Sequence, residues 1–378
     1  MAEHELGEEL QSAYLSRHST ETALLKVKDD MMKHIYNQKG VFLVLLDLSA
    51  AFDTVNHNIL FDRMSSEIGL TGVALDWFKS YFTNRSTTVL IDGVYSMAKE
   101  MEYGLPQGSI IGPRAFTIYT IPIARIIKKH NLSYHFYADD KQIYTSFYPS
   151  DPSSIHAALS SITACIKEIQ SWMTTNFLKL NNDKTEFFVA SSPHFKQQMP
   201  EVSLKIGNDT ISPSTSVRNL GVIFDDVMCM SPQITALSKN ITYQLRNITR
   251  IRRFLNFETC NQITRSLVLS RLDYGNALLM GSSSTNIMKL QRLQNWSAKI
   301  IFCARKFDHA SQFLHQLHWL PVKERIRYKI LLYVFKCLHE LGPHYLTSAL
   351  SLYEPTRPGL RSALDTTRHA VPKYNYMK

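Results

Sequence analysis

A chain of 378 residues with 44% hydrophobic content can fill one large domain or two ordinary ones, which excludes a globally disordered protein. Its formal charge of +10 suits a polyanionic partner, nucleic acid or an anionic membrane surface, as well as a merely basic soluble protein. Five scattered cysteines (Cys165, Cys229, Cys260, Cys303, Cys337) make neither a disulfide framework nor a zinc site, and fit a reducing compartment.

The N-terminus, MAEHELGEEL, is acidic and polar, unlike a signal or transit peptide. The longest apolar run, VFLVLL at 41–46, is far too short to span a bilayer. An intracellular protein of the nucleus or cytoplasm, neither secreted nor membrane-bound, is expected. VFLVLLDLSAAFDTVNHNIL opens as a buried strand and then changes period. From about Asp53 the spacing of Val55, Ile59, Leu60, Met64 and Ile68 predicts a helix stopping at Gly69. Asp47 thus stands at the carboxyl end of a buried strand. Residues 71–82 read as a second helix, and Asp92-Gly93 is a strong hairpin signal.

GLPQGSIIGP is a loop with two glycines and two prolines, after which Pro113 opens a helix to about Lys129. YHFYADDKQIYTSF then predicts two strands with a turn at Asp139-Asp140. Ile155, Ala158, Ile162, Cys165, Ile166, Ile169, Trp172 and Met173 form an amphipathic helical stripe. LNNDKTEFFVA returns to strand, SLKIGNDTI is hairpin-like and SVRNLGVIFD reads as one more strand. After Pro232 the periods are helical, with lysines and arginines beside apolar stripes, and the tail beyond Pro355 is polar.

Singly, each motif has a plain explanation. Asp-Asp suits a solvated turn, Asp47 could cap the next helix, GLPQGSIIGP is ordinary loop punctuation, and Phe52 could be core. Together they point elsewhere. If the strands ending at Asp47 and Asp139 are neighbours, their carboxylates converge at one sheet edge, where like charges need cations. Hard oxygen ligands without nearby His or Cys select Mg²⁺ or Mn²⁺, and two such ions roughly 3.5–4 Å apart are the clamp used in nucleotidyl transfer.

In order and spacing, LLDLSAAFDTVNH, GLPQGSIIGP, FYADD, LNNDKTEFF and VRNLGVIFD resemble the palm motifs of LINE-type (non-LTR), jockey-like retrotransposon reverse transcriptases. QSAYLSRHSTETALLKV resembles the end of the fingers, and RLDYGNALL, LQRLQNWSAKII and HWLPVKERIRYK the helical segment after the palm. The resemblance implies an α+β fold: a right-hand palm with a ferredoxin-like antiparallel sheet and packed helices, partial fingers and an α-helical thumb. The implied domains are 1–225 (fingers remnant and palm), 226–345 (thumb and following region) and 346–378 (tail).

It also implies roles. Asp47, Asp139 and Asp140 match the metal-binding triad for two Mg²⁺ ions (Mn²⁺ as substitute), with the Leu48 carbonyl completing one shell. Phe52 matches the ring that excludes a ribose 2′-hydroxyl. Gln107 and Gly108 match the loop lining the incoming nucleotide. Lys184 matches a lysine near the leaving group, or is a surface lysine beside a strand. Arg218 and the primer grip Asn219, Leu220 and Gly221 would support the primer end. The partners implied are an RNA template, a DNA primer and a deoxynucleoside triphosphate, with no membrane. Basic residues such as Arg252, Arg253, Lys299 and Arg305 fit duplex phosphates, or are solvated helix faces.

The match departs at Leu15, where the family usually has arginine, and at Arg17, Arg114 and Lys141. The family's upstream fingers segments and its endonuclease domain lie outside this sequence, which fits a truncated copy. Three activities follow: an RNA-directed DNA polymerase, an inactive remnant that holds RNA or RNA–DNA hybrid, or a palm-fold cyclase. GLPQGSIIGP and the long basic helical region argue against the last.

Overall fold

The computed structural model describes residues 7–49, 51–197, 199–207 and 209–350. The start of the acidic N-terminus and the tail beyond 350 therefore lie outside the described residues. The chain divides into two compact units, the first holding residues up to 19 and 33–214, the second 20–32 and the chain from 215. Helix α1 (Thr20–Tyr36) contributes to both.

In the first unit the apolar run makes β1 (Gly40–Ser49), whose Phe42, Val44, Leu46 and Leu48 enter the main core. α2 (His57–Ile68) follows, starting later than its apolar spacing suggests. The reason is Asn56, whose side chain accepts from the Ile59 N–H at 3.1 Å and fixes the cap there. Gly69, at φ 74°, ends it as expected. α3 (Gly72–Phe82) is followed by four short strands, β2 (Ser86–Thr87), β3 (Leu90–Ile91), β4 (Val94–Tyr95) and β5 (Lys99–Glu100). β3 and β4 pair around Asp92-Gly93, as that dipeptide predicts.

The helix expected from Pro113 to Lys129 is two helices, α4 (Gly112–Tyr119) and α5 (Ile121–Lys129), meeting at Thr120. Pro122 is the cause: it has no N–H to donate backward, so it sits in the first turn of a new helix. β6 (Ser133–Tyr137) and β7 (Asp140–Phe147) form a hairpin, and α6 (Pro152–Thr175) buries the predicted stripe apart from the half-exposed Trp172. β8 (Lys179–Ala190), α7 (Pro193–Lys196) and the β9 (Leu204–Ile206)–β10 (Asp209–Ile211) hairpin complete the unit. The sheet runs β6-β7-β1-β8 with every neighbour antiparallel. Phe42 is clamped there by Phe147, with ring centroids 4.0 Å apart.

In the second unit SVRNLGVIFD is a hairpin, not a single strand: β11 (Ser216–Asn219) turns back into β12 (Val222–Asp225). Its turn residues Leu220 (φ 43°) and Gly221 (φ 83°) are both left-handed. A leucine in that region is an unusual turn former, which is why the sequence reads as continuous strand. The rest is helical: α8 (Ser231–Ile251), α9 (Phe257–Thr264), α10 (Ser270–Asp273), α11 (Ser284–Ile301), α12 (Ala310–Gln316), α13 (Val322–Leu338) and α14 (His344–Thr347). Ile234, Ile241, Leu245 and Ile248 put the buried face of α8 at helical spacing. Among the described residues no helix is long and apolar enough to cross a membrane.

Candidate active site

The β1–β7 ladder ends at Leu46 opposite Lys141. One step further along each strand stand Asp47 and Asp140, so the antiparallel register brings these carboxylates, distant in sequence, to one edge of the sheet. Beyond that point β1 is paired to β8, through Asp47–Asn181 and Leu48–Leu180. Asp47 Oδ2 is buried with no hydrogen-bond partner, and it is the one carboxylate oxygen in that position among the described residues. An unpartnered buried carboxylate oxygen is costly unless a cation or a donor reaches it.

The hairpin turn itself is Ala138-Asp139, one residue earlier than the aspartate pair suggested, because Tyr137 already pairs with Asp140. Ala138 has φ 58°, a conformation that costs a non-glycine residue roughly 1–2 kcal/mol. Two contacts hold it there. The Ala138 N–H donates to Gln11 Oε1 at 3.0 Å, and the same oxygen accepts from Ala13 N–H at 2.9 Å. From the other side, the Ala138 carbonyl accepts from Lys141 Nζ at 2.5 Å. The segment carrying Gln11 lies along β6, with Phe136 N–H donating to Leu10 O at 2.8 Å and Ser12 N–H to Phe136 O at 3.0 Å.

Lys141 is 1% exposed, and its ammonium sits 4.5 Å from the Phe136 ring centroid. Burial pulls its pKa down to about 7 against the opposing pull of Asp139 and Asp140. The Asp140 carboxyl is pushed up to about 6, by burial first and then by Asp139 and Asp47. Because the residue keeps an exposed surface, the like charges are the cause that its position supports most directly. Tyr14 is also near: its hydroxyl is shifted upward, by burial first and then by Asp139. Gln11 and Tyr14 carry no local signal, since their partners lie more than a hundred residues away.

Lys184 reaches the same edge through a break in the sheet. Between the pairs Leu45–Glu186 and Asp47–Asn181, β1 advances two residues while β8 advances five. The surplus of β8 bulges out, a device that re-aims side chains next to functional sites, and Thr185 Oγ1 ties it by donating to Asn181 O at 2.8 Å. Lys184 Nζ thereby comes within 3.8 Å of Asp47 Oδ2, its side chain still 70% exposed.

Phe52 and the GLPQG loop form a second wall. The half-buried Phe52 ring stacks on Phe116 of α4, centroids 4.9 Å apart. Leu105 N–H donates to Phe52 O at 2.8 Å and Gly104 N–H to Val55 O at 2.8 Å. His57 Nε2–H donates to the Gly104 carbonyl, also at 2.8 Å. Gly104 has φ 91°, and a Cβ there would stand 3.0 Å from the Asp53 carbonyl oxygen, so this close docking needs glycine. Gln107 Nε2 donates to Asp53 Oδ1 at 3.0 Å, which sets it beside the Phe52 turn, and Gly108 is exposed with open space around its α-carbon.

Asn219, Leu220 and Gly221 belong to the second unit. Asn219 is buried, and Tyr274 from RLDYGNALL donates its hydroxyl to the Leu220 carbonyl at 2.6 Å. At the hairpin, Arg218 and Gly221 are exposed and Leu220 is half-buried.

Among the described residues no three His, Cys, Asp or Glu side chains form a ready-made metal cage. The donor chemistry nevertheless fits a hard divalent ion. Magnesium is commonly bound by one or two carboxylates and completed by water and substrate phosphates, and Asp47 Oδ2 offers a buried oxygen that accepts no hydrogen bond.

Comparison with known proteins agrees in kind. The family model for Reverse transcriptase (RNA-dependent DNA polymerase) matches residues 1–224. The chain is 20% identical over 340 residues to a probable RNA-directed DNA polymerase from transposon BS of Drosophila melanogaster, covering 86% of this chain and 36% of that protein. It is 23% identical over 292 residues to the RNA-directed DNA polymerase from mobile element jockey of Drosophila funebris, covering 75% and 31%. The chain thus spans about a third of the length of these curated relatives. Among solved structures, apo telomerase from Candida tropicalis aligns with TM-score 0.41 and 13% identity, covering 83% of this chain and 51% of that one. Telomerase from Candida albicans, in complex with the TWJ fragment of telomeric RNA, aligns with TM-score 0.40 and 13% identity, covering 81% and 55%.

Proposed function

We propose that this chain, which belongs to the reverse transcriptase (RNA-dependent DNA polymerase) family, is the polymerase core of a jockey-like non-LTR retrotransposon enzyme and adds deoxynucleotides to a primer 3′-hydroxyl on an RNA template. The observation that carries this reading is the meeting of Asp47 with Asp140 at the end of the β1–β7 ladder, where Asp47 Oδ2 is buried without a partner.

Asp47, Asp139 and Asp140, with the Leu48 carbonyl, would hold two Mg²⁺ ions, or Mn²⁺ in their place. Such ions supply acidity to the primer hydroxyl and neutralise the triphosphate. The rest falls to the chain's own groups. Phe52, fixed by its stack on Phe116, excludes a ribose 2′-hydroxyl by bulk. Gln107 and Gly108 line the incoming nucleotide. Lys184, carried in on the β8 bulge, holds or delivers a proton at the departing phosphate. The Leu220-Gly221 tip supports the primer end through its backbone.

Template-dependent incorporation on an RNA template with a DNA primer tests the reading. Incorporation that Asp139→Ala abolishes is expected; incorporation that survives it refutes the assignment. A second reading, the same fold holding RNA without chemistry, is favoured by Lys141, whose buried ammonium is an internal cation beside the carboxylates. Salt-sensitive RNA binding with no incorporation, even with Mn²⁺, would select it.

A further inference from the structure

The second unit contains a cavity of ≈ 920 Å³ between α8 and α11, within the range of about 300–1,000 Å³ that encloses a small organic ligand. Its walls combine cationic and apolar side chains. Arg253, Arg292, Lys299 and Lys306 line it, and among the described residues none of the four is paired with a carboxylate. Arg252, which also lines it, is held differently. Its guanidinium donates to the carbonyls of Ile300 (2.8 Å), Leu255 (2.6 Å) and Ile301 (2.8 Å), closing the end of α11 and leaving its charge at the cavity wall. The half-buried Trp296 supplies the aromatic surface, beside Ile300 and Ala304.

Unopposed cations around a concave wall favour a polyanion, and an indole among them favours a planar ring. A double helix offers phosphates but hides the faces of its bases by stacking. An unpaired strand offers both groups at once, the combination that single-strand sites use. We infer that this cavity binds one unpaired nucleotide of a single-stranded nucleic acid, its base against Trp296 and its flanking phosphates on Arg253, Arg292 and Lys306. The site needs neither metal nor triphosphate and does not depend on the polymerase reading.

Fluorescence anisotropy with labelled rU12, dT12 and an abasic 12-mer, in chelator and without triphosphates, tests this on the full chain. At least one base-bearing strand should bind about tenfold or more tightly than the abasic one, and the tighter of the two names the strand. Arg292→Ala combined with Lys306→Ala should weaken that strand about tenfold and reduce the log–log salt slope by about 1.4, at about 0.7 per phosphate contact. Trp296→Leu should erase the advantage over the abasic strand. An abasic strand that binds the unaltered protein as tightly as both base-bearing ones overturns the inference, whatever the folding of the Trp296 variant. So does a double variant that binds with unchanged affinity and salt slope.

Discussion

A buried glutamate in one unit and a half-buried aspartate in the other show how differently the halves of the molecule treat charge. In the second unit Glu21 is enclosed and satisfied. It accepts from the Ala277 N–H at 2.8 Å and from the Tyr333 hydroxyl at 2.9 Å, and Lys329 Nζ lies 2.8 Å away. In the first unit Asp47 Oδ2 is buried with no hydrogen bond, a lysine 3.8 Å off, beside a hairpin bent through a left-handed alanine. One carboxylate holds a fold together. The other keeps one oxygen without a hydrogen bond, and the strain beside it persists because Gln11, Lys141 and the sheet over-determine the turn.

The contrast can be broken in a graded way. Asp47→Ala should lower template-dependent incorporation on the order of 10³-fold or more, while its urea midpoint stays level or rises, since the change removes an unsatisfied group. A large loss of stability would show that Asp47 is structural after all. Glu21→Ala should do the reverse, costing about 3–5 kcal/mol in urea unfolding because it strands buried donors and a lysine; a neutral result would dissolve the comparison.

Lys28 sharpens the contrast further, since it is a half-buried cation that the second unit holds at a cost. Burial pulls its pKa from 10.5 down to about 8, with Asp225 opposing. Between those values the native protein has released a proton that the unfolded chain still binds. Stability therefore rises with pH across that window, by up to about 3 kcal/mol, and gains nothing from this group below it. Urea midpoints from pH 7 to 10.5 should show this rise relative to Lys28→Met, and parallel curves would contradict it. The smallest effect is expected from Ala138→Gly, which relieves the left-handed turn and should raise stability by about 0.5–1 kcal/mol in the same assay.

Much of this was legible in the sequence where a local rule sufficed. The run into Asp47, the stripe from Ile155 to Met173, the stop at Gly69 and the Asp92-Gly93 hairpin each follow from side chains within a few positions. The break at Thr120 was written in Pro122 and masked by the apolar period around it. The hairpin at Leu220-Gly221 was hidden because leucine seldom adopts such a turn. What no local pattern could carry were the long-range terms: the Gln11 contact with Ala138, 127 residues away, and the register slip that turns Lys184 toward Asp47. The aspartates announced a site. The way it is propped did not appear until the strands were paired.

The slip in β8 has a consequence for how such a site can change. Regular pairing resumes on both sides of it, at Glu186 and at Asn181, so the length of the intervening arc is uncoupled from the alignment of the core. Adding or deleting a residue at Asn182 or Asp183 would move the ammonium of Lys184 by ångströms while every buried neighbour of β1 kept its place. Lineages could thus retune the reach of one side chain without reopening the question of whether the protein folds.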